Sequence, residues 1–371
     1  MRIAFLNGQP DVVPVAPDIS NMIPCRLTGK PFWDIYLYQD PPLWQAYIDA
    51  AKHYGFDGWL PHVPVEFPHE EEERKQGPEW REAIVHRTPD RIYTRQHYRE
   101  NGRETWADWC TVYYIDNPPT YCVPLSNVEL PDADPRDWED VVPRTNYPGL
   151  EAYHRACEMM GDDGVVGLMV GLPGLGLQPE SVYEYYDSPE KVVQRCERQR
   201  DAIVTRAKAI LALSPDLILI GSSGHMISNP EPIFRQLSLP TLQAVSSLAR
   251  AAGVPSQVHC CGPEFALVRI AAEETDLSNV NPLEVPPMGD CDLARVKADY
   301  GHKLSLMGNL QTTDVMLRGS VKDVRNASAA AIDAAAEGGG FLLSTGDQCG
   351  RDTPDENILA MVDVARTYGR Y

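Results

Sequence analysis

Val258-His259-Cys260-Cys261-Gly262 closes the short run Gly253 to Val258, which reads as a buried strand. Residues two apart in a strand share a face, so His259 and Cys261 can meet one ion while Cys260 turns the other way. This is half of a zinc site, because zinc takes about three or four protein ligands of N, S and O type. The other half is expected in Ser344-Thr345-Gly346-Asp347-Gln348-Cys349, behind the run Gly340-Phe341-Leu342-Leu343, where Asp347 and Cys349 are the candidates. Buried thiols and imidazoles are also ordinary core residues, so the motif gains meaning only from its surroundings.

Outward from this strand the pattern is regular. Strand-like runs at Gly164 to Gly171, Asp216 to Gly221, Val254 to Cys261, Leu277 to Asn281, Lys303 to Gly308 and Gly340 to Ser344 alternate with helical patterns. The helices are read at Ser188 to Leu213, Pro240 to Ala252, Cys291 to Tyr300, Ser320 to Glu337 and Thr353 to Tyr368. Thr353-Pro354-Asp355-Glu356 reads as a capping box with proline at the first helical position, and Gly338-Gly339-Gly340 as a helix stop. With two units assigned to the first half, including Phe56 to Leu60 behind the helix Pro42 to Gly55, about eight units are countable. That predicts an α/β fold, a (β/α)8 TIM barrel formed as one domain over residues 1–371.

Residues 63 to 150 break the pattern. Glu70 to Glu73 form a charged, solvated stretch, and in Arg91 to Trp106 β-formers flank Asn101-Gly102, a hairpin signal. An aromatic tail through Trp106, Trp109, Tyr113, Tyr114 and Tyr121 continues as extended chain. This part is read as an antiparallel hairpin insertion.

Composition bounds the partners. A chain of 371 residues with 43% hydrophobic content is globular, and no apolar run approaches the ~18 residues of a membrane span. The start, Met1 to Asn7, is too short in apolar residues for a signal peptide, so the expectation is a soluble cytoplasmic protein. Nine scattered cysteines fit reduced thiols rather than a disulfide framework. A net charge of -20 speaks against nucleic acid and anionic membranes as partners.

In such a barrel the chemistry sits at the C-terminal ends of the strands. His225, His259 with Cys261, Asn281 with Glu284, Asn309 with Gln311, and Asp347 with Cys349 fall at or behind the ends of five consecutive strand-like runs. Three ligands drawn from two distant strand ends suit a catalytic zinc with an open position. His225, Glu284 and Asn309 are the catalytic candidates; the alternative for Glu284 and Asn309 is a buried hydrogen-bond partner or loop cap.

His259-Cys260-Cys261-Gly262, Gly308-Asn309-Leu310, Gly338-Gly339-Gly340-Phe341, Ser344-Thr345-Gly346 and Thr353-Pro354-Asp355-Glu356-Asn357-Ile358 resemble the uroporphyrinogen decarboxylase superfamily, and within it the zinc-dependent, corrinoid-linked methyltransferases. The resemblance covers the last third of the chain specifically and the middle third loosely. It implies a (β/α)8 barrel, zinc on the His-x-Cys pair plus a Cys directly after the Thr-Gly step, and methyl exchange with a corrinoid (cobalamin). No cobalamin-binding motif stands in this chain, so a separate corrinoid protein is expected as partner, docking near the loops after His259 and Cys349.

The sequence departs from that pattern, with Asp347 at the third ligand's position and Cys349 two residues later. A carboxylate in place of a thiolate leaves zinc the stronger Lewis acid, which suits releasing methyl from an oxygen. Cys349 restores the usual set if the loop is shifted. The expectation is O-demethylation of a small methylated donor, with a methoxylated aromatic favoured because the insertion carries Tyr93, Tyr98, Trp106, Trp109, Tyr113, Tyr114 and Tyr121. The insertion can equally be a packed lid or homodimer contact. Three other readings remain: a methylcobalamin-to-thiol methyltransferase, a barrel with a vestigial metal site serving as a binding subunit, and a porphyrinogen decarboxylase. The last is disfavoured, since Pro24-Cys25-Arg26-Leu27 offers Arg26 alone where arginines should cluster.

Overall fold

A computed structural model of the chain describes residues 1–19, 21–100, 102–130 and 137–371. Residues separate into two units: residues 1–18, 51–63 and 157–371 form one, and residues 19–50 and 64–156 the other.

The first unit is the barrel. Its strands are β1 (Gly58–Leu60), β2 (Gly164–Gly171), β3 (Leu217–Gly221), β4 (Ser256–His259), β5 (Asn279–Asn281), β6 (Ser305–Leu310) and β7 (Phe341–Thr345). They pair in sequence order, each parallel to the next. Residues 14–16 take the eighth position. Leu343 N–H donates to Pro14 O at 2.9 Å, Ala16 N–H to Leu343 O at 2.9 Å, and Asp57 N–H to Val15 O at 2.8 Å, which joins β7 to the segment entering β1.

Helices Pro189–Ala212, Leu239–Ala252, Phe265–Glu274, Leu293–Tyr300 and Val321–Ala335 connect successive strands from β2 to β7, and Asp355–Tyr368 follows β7. Among the described residues, no helix is long and apolar enough to cross a membrane. Phe265–Glu274 is absent from the sequence reading because its cap comes from afar: Asp290 Oδ1 accepts the N–H groups of Glu264 and Phe265 at 2.8 and 2.9 Å. The capping box expected at Thr353 does not form. Pro354 occupies the cap of Asp355–Tyr368 and no side chain caps it. The glycine stop does form, for a steric reason: a side chain on Gly340, at φ +65°, would overlap Oδ1 of Asn7.

Alternate strand residues point into the barrel. At the lower end Ala4 and Phe5 of the N-terminal turn pack with Trp59, Val165, Leu217, Leu219, Met307 and Leu342. Beside them runs a polar row: Trp59 Nε1 donates to Gln257 Oε1 at 3.0 Å, Gln257 Nε2 to Asn279 Oδ1 at 2.6 Å, and Asn279 Nδ2 to Ser305 Oγ at 2.9 Å. Every buried amide here finds a partner on the neighbouring strand, which offsets its desolvation.

The second unit carries an antiparallel sheet in the order 120–124, 109–114, 91–100, 81–87, 139–140, with 103–106 also pairing to 91–100. Glu100 pairs with Arg103 as the hairpin reading requires; Asn101 itself lies outside the described residues. Neighbouring residues face opposite sides, so Ile92 packs with Leu37, Ile84 and Tyr113, while Tyr93 packs with Cys110 and Val112. His97 lies between Glu104 and Asp140 and stacks on Trp106 at 4.6 Å. The acidic stretch forms the helix Pro68–Lys75, with no buried residue.

Candidate metal centre

Register builds the site. His259 ends β4 directly opposite Asn281, which ends β5, as Gln257 stands opposite Asn279 one inward step below. The imidazole therefore enters the barrel mouth above the polar row. Its Nδ1 lies 3.2 Å from Asn281 Oδ1. An amide oxygen only accepts, so Nδ1 carries the hydrogen and Nε2 is left with its lone pair.

Two groups face that lone pair. Cys261 Sγ is 3.2 Å from Nε2 and Asp347 Oδ1 is 4.0 Å from it, and ligand atoms of the three residues all lie within 4.8 Å of one another. Zinc bonds of about 2.0–2.3 Å at a tetrahedral angle set donors roughly 3.3–3.6 Å apart. The donor types suit zinc and the His259–Cys261 spacing is close to that of a bound pair, while Asp347 stands wider than a bound donor would.

Cys261 stands beyond the end of β4, so its approach to His259 comes from the following turn, where Gly262 has φ +92°, as much as from strand period. Cys260 turns away and is buried against the loop after β3, near Ser222 and Met226. Asp347 is held at φ +146°, a conformation L residues rarely adopt, while Thr345 Oγ1 donates to its carbonyl at 2.7 Å. Strain of this kind costs about 1–3 kcal/mol and persists where surrounding bonds enforce it. Burial pushes the Cys261 thiol up, the Asp347 carboxylate adds to the effect, and Ser223, 3.5 Å from Sγ, opposes it. Three donors with no cation among them are poised to gain from a divalent ion, which favours the thiolate.

The other candidates are placed differently. Cys349 is not in the cluster. Its N–H donates to Asp18 O at 2.7 Å, and burial, reinforced by Asp18, pushes its thiol up to about 12. Glu284 lies in the loop after β5 and Asn309 near the end of β6: Glu284 Oε2 accepts the Gly262 N–H, and Asn309 Nδ2 donates to Leu283 O at 3.0 Å. Burial raises the Glu284 carboxyl, with Asp347 adding. His225 is turned to Ser238 Oγ at 2.7 Å, and because Ser238 gives its own hydrogen to Pro173 O, His225 Nε2 is the donor. Burial lowers its imidazole to about 4.

One site residue has no place in the sequence analysis. Glu264, fully buried, accepts the Leu283 N–H at 2.7 Å. Asn281, one of the strand-end candidates, gains its role from its position opposite His259 once β4 and β5 are aligned. A glutamate three residues behind Cys261, at the head of the apolar run Phe265 to Val268, was the available signal for Glu264.

Comparison with known proteins agrees with this architecture. A methyltransferase from Methanosarcina mazei superposes over 99% of this chain and 97% of its own with a TM-score of 0.61 at 18% identity, which speaks for the fold. A B12-independent methionine synthase from Shewanella sp. W3-18-1, in complex with selenomethionine, matches over 96% of this chain and 98% of its own with a TM-score of 0.43 at 12% identity. None of the curated proteins compared matches the sequence. The family model "Uroporphyrinogen decarboxylase (URO-D)" matches residues 180–368, half of the chain including strands β3 to β7, and the chain belongs to the uroporphyrinogen decarboxylase family.

Proposed function

We propose that this protein is a zinc-dependent methyltransferase that takes a methyl group from a small methylated donor, preferably a methoxylated aromatic, and passes it to the cobalt of a corrinoid carried by a partner protein. The observation that carries the reading is the convergence of His259 Nε2, Cys261 Sγ and Asp347 Oδ1 at the mouth of the barrel, with a carboxylate as third donor. The likeness in fold to a methyltransferase supports the same class.

His259, Cys261 and Asp347 would hold the ion, and a zinc with one thiolate and one carboxylate supplies Lewis acidity toward the donor's oxygen. Asn281 keeps Nε2 of His259 unprotonated and aimed inward. The carbon–oxygen bond breaks with its electron pair left on oxygen, and the electron pair of Co(I) forms the new bond to methyl. The departing oxygen then needs a proton, and the raised Glu284 carboxyl is suited to deliver it. Tyr93 and Tyr113 are packed inside the second unit and lend the aromatic-donor preference no support.

The test is incubation of the zinc-loaded protein with Co(I) corrinoid and a panel of methyl ethers, amines and thiols, following cobalt methylation by absorbance. Methoxylated aromatics should react. Turnover of amines or thioethers alone would refute the oxygen-donor reading, and no turnover with any donor would refute methyl transfer.

A further inference from the structure

Glu264 and Glu284 exchange hydrogen bonds between two neighbouring strand-end loops. Glu284, behind β5, accepts the N–H of Gly262, behind β4. Glu264, behind β4, accepts the N–H of Leu283, behind β5, at 2.7 Å. Both donors belong to residues at positive φ, +92° for Gly262 and +60° for Leu283, where the chain has left the ladder and a buried amide needs another acceptor. Asn309 of β6 completes the lacing through the Leu283 carbonyl at 3.0 Å. Cys261 is the residue before the Gly262 donor, so its sulfur is carried by whatever holds that amide.

Glu264 differs from an ordinary ionised glutamate. It is fully buried, and its Oε1 has no hydrogen-bond partner among the described residues. Glu284, Asp290, Asp347, Cys260 and Cys291, acids and thiols, act on it electrostatically. Burial, with these neighbours, pushes the carboxyl well above the usual carboxylate range. Burial disfavours the charged form of Glu264, and what the geometry shows it supplying is reach and a hydrogen bond to Leu283.

We propose that Glu264 is a positioning residue: by holding Leu283 it seats Glu284 on Gly262, and so fixes where Cys261 presents its sulfur to His259 and Asp347. The value of that geometry rests on the metal reading above, while the coupling of the two loops is a property of the chain itself.

Glu264→Gln keeps the length and an acceptor oxygen, whereas Glu264→Asp keeps the carboxyl and shortens its reach by one methylene. In the full chain without added metal, amide hydrogen exchange at Leu283 and Gly262 reads the clasp directly. Glu264→Asp should speed exchange at both amides about tenfold and weaken zinc binding, read by chelator competition, by about 10-fold or more; Glu264→Gln should stay close to the parent in both. Glu284→Asp, the same cut from the other side, should release Leu283 as well as Gly262, and serves if Glu264→Asp does not fold. Faster exchange at Leu283 with Gly262 still protected would overturn the coupling, as would zinc binding that survives Glu264→Asp and fails in Glu264→Gln. A parent that binds no zinc would remove the metal reading, and the exchange pattern alone would then decide the clasp.

Discussion

Nδ1 of His259 lies 3.2 Å from Oδ1 of Asn281, the residue directly opposite it in the β4–β5 register. The contact sets the tautomer that a metal ligand needs, because an imidazole that donates from Nδ1 offers its lone pair from Nε2. Asn281→Ala should therefore weaken zinc binding by about 10- to 100-fold and leave a mixture of His259 tautomers. Chelator competition and the ¹⁵N shifts of the ring check both. An unchanged tautomer would mean that packing alone orients the ring.

Asp347 and Cys349 make opposite predictions. Asp347→Asn replaces an anionic donor with a weak neutral one, and zinc content by elemental analysis should fall steeply, as it should for His259→Ala and Cys261→Ala. Cys349→Ser should keep the parent's zinc content, because Cys349 is buried against the Asp18 strand-end segment instead. Loss of zinc in the Cys349 variant with retention in the Asp347 variant would reverse the ligand assignment.

His225 links folding to pH. Its folded-state value is lowered from 6.5 to about 4, so below pH 6.5 the unfolded chain takes a proton that the native ring refuses. Stability from this group is complete above pH 6.5 and is lost as pH falls toward 4, by at most about 3 kcal/mol. Urea unfolding of the parent and of His225→Gln at pH 7 and pH 4.5 should show the parent losing about 2 kcal/mol more than the variant over that interval. Parallel losses would show that the ring is not excluded from protonation in the fold.

The polar row inside the barrel should be costly to interrupt. Gln257→Leu removes the bond that Gln257 accepts from Trp59 Nε1 and the bond it donates to Asn279 Oδ1. An unpaired buried group costs about 1–3 kcal/mol, so a loss of at least that size is expected from the shift of the urea midpoint. A loss below about 1 kcal/mol would imply that water enters the barrel there.

The sequence by itself determined what short-range physics fixes. Strand and helix alternation from Gly164 onward is written in hydrophobic period and in stops such as Gly338 to Gly340, and pairing each strand with the next then leaves a barrel as the way to bury both faces. It also named His259, Cys261 and Asp347, because those residue types fall at strand ends. It could not tell Asp347 from Cys349. They stand two residues apart in one turn, and which one enters the barrel mouth is set by the φ of +146° at Asp347 and the Thr345 bond to its carbonyl. Nor could it join Glu264 to Leu283, Asp290 to Phe265 or Asn281 to His259. Those bonds span about 20 residues between separate strands, so only the register of the closed sheet brings their ends together; period and propensity, which act within a single element, carry no trace of it.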